Sequence, residues 1–563
     1  MFDTVIRHAT LLDGSGAPGR RASLAVAGTR IVAIGDDLPA GREEVDADGL
    51  ALMPGIIDGH THYDAQLTWD PFADPSVEVG VTTAVIGNCG FTIAPCRAPD
   101  RGLTMRNLTQ VEGMSLAALE AGIRWDFETI PQYLAMLEGA GLGVNVAAFA
   151  GHSAIRTYVM GEASHQRAAT PAEVARMAAI VRDAMAAGCI GFASSTNEPH
   201  NGWGGIPMPS RLADEDELVA LTRAMGEGGR GVFMLTKGAT TSIAQLERIA
   251  QASARPVLIA ALLHNDRAWS QTFDEMDAMA AARGRGHRLI PQVSACPLTM
   301  EFTLQSAYLF ESIPAWRPAI SASHQTLMSL YADPAFRAAV KADLDLQQGR
   351  GLFNGDWQRL HVAQVVDRAR AGLEGESLGA LAAREGAHPL DAMLDLALAE
   401  SLATIFTAQL RNTDEKAVGR MVADPHTHVA LSDAGAHLTF MCDAGYGLHL
   451  LGHWSRDLRA LPIEQAAYKL TGHPADLFGL EDRGRLAVGM AADLLLFDPA
   501  TVARGRNERR FDLPAGADRL RGGGVGVRGV WLNGARVVDE SGRRADPPRA
   551  GVLLRGGASR PGS

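Results

Sequence analysis

Eight short apolar runs, separated by stretches with helical spacing, constrain this chain more than any other feature. They are GIIDGHTH (55–62), TTAVIGNCG (82–90), NVAAFAGHS (145–153), GCIGFASST (188–196), RGVFMLTKG (230–238), PVLIAALLHN (256–265), RLIPQVSAC (288–296) and HVALSDAGAH (428–437). Between them lie stretches such as TPAEVARMAAIVRDAMAAG (170–188) and SIAQLERIAQASA (242–254), in which apolar residues recur at i, i+3 and i+4. Strands alternating with helices imply a parallel sheet, and eight such units imply a (β/α)8 TIM barrel of the α/β class. Nearly every run closes on polar residues: His62, Cys89, His152, Ser194, Lys237, His264, Ser294 and Asp433. In such a barrel the C-terminal ends of the strands carry the active site.

The two ends of the chain read differently. Residues 1–54 and 480–550 contain short β-rich runs broken by Gly and Asp, and WLNGARVV has the Asn-Gly signature of a tight hairpin. Termini often lie close together, so the expectation is one small β-sandwich built from both ends. The barrel then spans 55–479. A helical insertion over about 299–420 separates its last two strands and is expected to cover the barrel mouth.

Charge and cysteine usage exclude several function classes. The net charge is −12 and no Lys/Arg block occurs, which argues against a nucleic-acid partner. No apolar run reaches the roughly 18 residues needed to span a bilayer. MFDTVIRHATLLDGSG lacks the pattern of a signal peptide. Five scattered cysteines, at 89, 96, 189, 296 and 442, make no disulfide framework and suit a reducing compartment. The expectation is a cytoplasmic protein with a small-molecule substrate, no membrane or nucleic-acid partner, and a homo-oligomer left open.

The site candidates come from the strand ends. His60 and His62 are two apart, so on an extended chain their side chains share a face and can grip one ion; the pair could also be inert polar residues. Cys89 in GNCGF is either a small buried residue or a thiolate ligand of the kind zinc favours. His264 ends an apolar run and repeats the pattern of a ligand. Asp433 ends VALSDAG, where an unpaired carboxylate would be costly to bury; it suits the proton transfer of a metal-assisted hydrolysis. His152, Asn265 and Ser294 are candidates for binding substrate. Only four residues are lysines, and Lys237 alone stands at the expected catalytic end. It reads as a carboxylated metal ligand, as an anion-binding group, or as an ordinary strand-end lysine.

Together MPGIIDGHTH, GVTTAVIGNCGFTIAP, NVAAFAGHSAIR, GCIGFASS, VALSDAGAH and GLEDRGRLAVGMAADLLLFDP resemble the amidohydrolase superfamily, and within it the N-acyl-D-amino-acid deacylase (D-aminoacylase) branch. The resemblance covers nearly the whole chain. It implies a zinc-dependent amide hydrolase with one or two ions, in which metal-activated water attacks the amide carbonyl and the strand-eight aspartate moves the proton. On matching positions, His60, His62, Cys89 and His264 would be ligands and Asp433 the catalytic aspartate.

Two departures stand out. That branch usually carries a histidine near the end of strand five, where this chain has Thr236 and Lys237. It also tends to place a lysine after strand six for the substrate carboxylate, where this chain has Asn265 and Asp266. The rival readings are a hydantoinase-like cyclic-amide hydrolase using a carboxylated Lys237, and a degenerate barrel that binds a small molecule without turnover.

Overall fold

The computed structural model describes residues 1–320, 322–347, 353 and 355–556 of the chain. The eight apolar runs form one parallel sheet in chain order: Ile56–Asp58, Val81–Ile86, Asn145–Gly151, Gly191–Ser195, Val232–Thr236, Val257–Leu262, Leu289–Ser294 and His428–Ala430. All their residues are buried except Ala261. This is why the sequence shows continuous apolar runs rather than alternation: a sheet packed on both faces has no wet side. The ring closes at its C-terminal end through a parallel bridge between Thr61 and Ala434, just beyond the first and eighth strands. The (β/α)8 barrel expected from the sequence is the observed fold.

Helices between the strands start where the sequence places caps. Thr170 caps Pro171–Ala187 through a capping box with Glu173, and Gly188 ends that helix in the left-handed region.

Strands from both termini join in one mixed nine-stranded sheet. From the N-terminal side come Phe2–Leu11, Arg20–Ala27, Arg30–Gly35, Gly41–Asp46 and Ala51–Pro54; from the other side come Leu494–Phe497, Val527–Leu532, Ala535–Asp539 and Gly542–Arg543. Ala51–Pro54 pairs antiparallel with Leu494–Phe497 and so joins the two chain ends. Ile6, Leu24, Val26, Leu52, Leu494 and Trp531 lie in its core. Asn533 and Gly534 both have positive φ, 44° and 84°, in the turn that sets Leu532 opposite Ala535.

These parts belong to one compact unit: Met1–Leu262, Phe273–Cys296 and Gly419–Ser563. A second unit comprises Leu263–Thr272 and Pro297–Val418. The helical insertion expected from the sequence also carries strands. Besides helices such as His324–Ala332 and Pro389–Ala399, the second unit holds an antiparallel sheet of Leu298–Phe302, Ile405–Arg411 and Leu360–Gln364. Residues 405–411, IFTAQLR, bury every second side chain, the period of a strand with one covered face. Phe302, Phe310, Trp316, Phe353 and Phe406 pack together in this unit.

Candidate metal centre

The His-Thr-His segment is held by its backbone. Thr61 N donates to Val85 O at 3.1 Å, and His62 N donates to Ala434 O at 2.7 Å. Ser432 Oγ donates to His60 O at 3.2 Å. The peptide is thus fixed between the ends of the second and eighth strands. Both imidazoles point inward, with ring centroids 5.2 Å apart.

Each imidazole is then oriented through its Nδ1. For His60 the partner is Gln292 Oε1 at 2.7 Å; an amide oxygen only accepts, so Nδ1 carries the hydrogen and Nε2 keeps its lone pair. For His62 the partner is Glu112 Oε1 at 3.1 Å, a close charge contact. The two Nε2 atoms face Asp433 Oδ1, at 3.3 Å from His60 and 3.7 Å from His62. Cys89 Sγ lies 3.5 Å from His60 Nε2.

Cys89 reaches this point from a tight turn after the second strand, with φ 56° and ψ −2°. Its neighbour Gly90 also has positive φ, 77°, and an ideal Cβ there would stand 2.6 Å from Ala193 O, so no side chain fits. Asp433 has φ 46° as well. Left-handed backbone in residues with side chains is costly, and such strain gathers at functional sites.

Among the described residues, His60, His62 and Cys89 form a group whose ligand atoms all lie within 4.8 Å of one another. Zinc bonds of about 2.0–2.3 Å place tetrahedral donors roughly 3.3–3.8 Å apart, and two imidazoles with a thiolate are donors zinc accepts. The residues fit the ion. Their charges are consistent with that. Burial disfavours the charged form of each group, yet the Cys89 thiolate holds the His60 pKa above its ordinary value, and the charge of Glu112 holds that of His62 well above it. Burial likewise opposes ionisation of Cys89 and Asp433, but the two imidazoles hold both acids below their ordinary ranges.

The Amidohydrolase family model matches residues 43–538. The chain belongs to the amidohydrolase family. It is 31% identical to D-aminoacylase of Alcaligenes xylosoxydans xylosoxydans over 546 residues, 96% of this chain and 95% of the relative. N-acyl-D-aspartate deacylase of the same organism is 30% identical over 564 residues, covering 100% and 96%. A crystal structure of D-aminoacylase superposes with a TM-score of 0.67 at 26% identity over 99% of this chain and 100% of that one. An N-acyl-D-glutamate deacylase from Bordetella bronchiseptica, complexed with zinc and a phosphonate mimic of the tetrahedral intermediate, gives 0.66 at 26% over 98% and 99%.

Several strand-end candidates of this amidohydrolase have partners of their own. The Lys237 ammonium pairs with Glu275 at 2.9 Å. A carboxylated lysine is an anion and would be repelled there, so the expected metal-ligand role is corrected: this is an ion-paired lysine. His152 is also corrected as a substrate-binding residue. It is fully buried, with Nδ1 2.8 Å from Ser194 Oγ and Nε2 2.8 Å from Glu217 Oε1, and Arg156 closes the network on Glu217. Ser294 Oγ accepts from Cys296 N at 3.0 Å, a local turn contact. His264 and Asn265 belong to the second unit. There His264 and Asn412 are tied: His264 N donates to the Asn412 side-chain Oδ1 at 2.7 Å, and Asn412 N donates to His264 O at 3.0 Å.

Sequence reasoning missed Gln292 and Glu112, and it named Thr236 only as a residue standing in place of the strand-five histidine. Gln292 is a polar residue inside the apolar run RLIPQVSAC, which is a usable signal for an inward-facing partner. Glu112 follows the helix Arg101–Val111 and carries no such signal; its carbonyl accepts from His437 N at 2.5 Å. Thr236 Oγ1 donates to Cys89 Sγ at 3.0 Å.

Proposed function

We propose that this amidohydrolase cleaves the amide bond of an N-acyl-D-amino acid or a related N-acyl compound, with zinc held by His60, His62 and Cys89. The observation that carries the reading is the convergence of Asp433 Oδ1 on Nε2 of both histidines. A carboxylate aimed at the metal-binding face has a use in proton transfer and none in simple binding. The similarity to D-aminoacylase and N-acyl-D-aspartate deacylase over nearly the full chain supports the substrate class.

A bound divalent ion would supply Lewis-acid polarisation of the amide carbonyl and of the attacking water. The chain's own groups do the rest. Gln292 and Glu112 fix the ring orientations, so His60 and His62 both present Nε2. Asp433, kept ionised by those imidazoles, accepts a proton from water as the new C–O bond forms. It then returns that proton to the amide nitrogen as the C–N bond breaks, releasing a carboxylic acid and an amine. Burial around His60, His62 and Cys89 strengthens these charge interactions.

Lys237 as paired with Glu275 supports the linear-amide reading over the carboxylated-lysine alternative. None of the five cysteines is in a disulfide, which suits work in the cytoplasm. Among the described residues no helix is long and apolar enough to cross a membrane.

The test is turnover by the zinc-loaded chain on matched N-acetyl-D- and N-acetyl-L-amino acids, their carboxamides, and cyclic imides. Hydrolysis confined to D-configured N-acyl compounds supports the reading. Turnover of cyclic imides alone would replace it.

A further inference from the structure

Thr236 ends the fifth barrel strand, and its place is over-determined. The strand register sets it beside Ser195 on one side and Ala260 on the other. Its carbonyl accepts from Thr196 N at 3.0 Å, and the following residue, Lys237, donates its N–H to Ala260 O at 2.7 Å. The backbone leaves only the side-chain torsion free, and a β-branched side chain has few rotamers. The residue is buried at 7% exposure, so its hydroxyl needs a partner. The partner it meets is Cys89 Sγ at 3.0 Å. Cys89 is equally constrained, by its left-handed turn and by Gly90 pressed against Ala193 O. Two fixed backbones therefore aim one O–H at one sulfur.

We infer that Thr236 is a positioning residue for the Cys89 thiolate: its hydroxyl donates to the sulfur and withdraws electron density from it. A ligand so weakened leaves a bound ion more electrophilic, the direction an amide hydrolase needs, and the same bond fixes which way the thiolate points. Hydrogen bonds to a ligating sulfur are an established means of tuning a metal. The inference rests on Cys89 being a ligand, as proposed above.

Cobalt(II) reports on both claims, because a cobalt-bound thiolate gives a charge-transfer band in the near ultraviolet. The wild-type chain loaded with cobalt is compared with Thr236→Val, which keeps the shape and loses the hydroxyl, and Thr236→Ser, which keeps the hydroxyl. The valine variant is expected to move the band to longer wavelength, because the sulfur is then more easily oxidised, and, because nothing then holds the thiolate in its direction, to weaken metal affinity about tenfold or more despite the stronger donor. The serine variant is expected to restore both. If the valine variant does not fold, Thr236→Ala is compared with Thr236→Ser in its place. An unmoved band in the variant lacking the hydroxyl, or an equal shift in the serine variant, would overturn the role of Thr236. No thiolate band in the wild-type protein would instead overturn Cys89 as a ligand.

Discussion

Gln292 Oε1 lies 2.7 Å from His60 Nδ1, and that contact decides which nitrogen of His60 faces the site. Replacing the amide with a group of similar size that accepts only weakly, Gln292→Met, leaves the ring free to turn. Zinc affinity is expected to fall by about ten- to a hundredfold, measured by competition with a chelator. Unchanged affinity would mean that packing alone orients His60.

Asp433 stands opposite both Nε2 atoms but is not needed to fill the His60–His62–Cys89 set. Asp433→Asn is therefore expected to keep its zinc while kcat falls by about 10²- to 10⁴-fold. Metal content and kcat are measured on the same preparation. Near-normal turnover would remove Asp433 from the proton transfer.

Glu112 gives the site a pH dependence with a definite sign. Burial alone would lower the His62 pKa, but the Glu112 charge raises it well above 6.5. In the metal-free chain a proton therefore competes for His62 up to higher pH than on a free imidazole, and zinc affinity rises as pH rises through that range. In Glu112→Gln the competition ends at lower pH, so the midpoint of the affinity curve moves down. A midpoint that stays in place would show that another group sets it.

The His152–Glu217–Arg156 network makes a prediction about stability rather than activity. Burial would raise the Glu217 pKa, but His152 and Arg156 hold it down at about 2. A carboxylate with a depressed pKa stabilises the fold above its unfolded pKa, and that contribution is lost as pH falls through the folded value. Glu217→Gln is expected to cost about 3–5 kcal/mol near neutral pH, because Arg156 is left buried without its partner. The gap in thermal stability between wild type and variant should narrow as pH falls from about 4.5 toward 2. A gap that does not change with pH would contradict the assigned charge pair.

The barrel was legible because its strands are buried on both faces and so read as unbroken apolar runs. His60, His62, Cys89 and Asp433 were legible because each follows such a run. What misled was parity. A strand end names a place but not a face, and successive side chains alternate. Thr236 reaches Cys89 while the next residue, Lys237, meets Glu275; the sequence favoured the more conspicuous lysine. His152 failed for a related reason: it opens the helix His152–Met160, and its ring bonds to Ser194 and to Glu217 of the helix Glu215–Gly226. Glu112 was out of reach, since a residue after a connecting helix meets His62 only through the tertiary fold. The sheet in the second unit was missed because the flanking helical stretches dominated the pattern, although IFTAQLR alternates plainly.

The most direct test of the account follows one sample through loss and return of its metal. Hydrolysis of an N-acetyl-D-amino acid is measured before chelation, after chelation, and during titration with zinc. The account predicts that activity disappears with the metal and returns in proportion to zinc bound, with the L-enantiomer untouched throughout. Full activity in the metal-free protein, or none after zinc is restored, would contradict it.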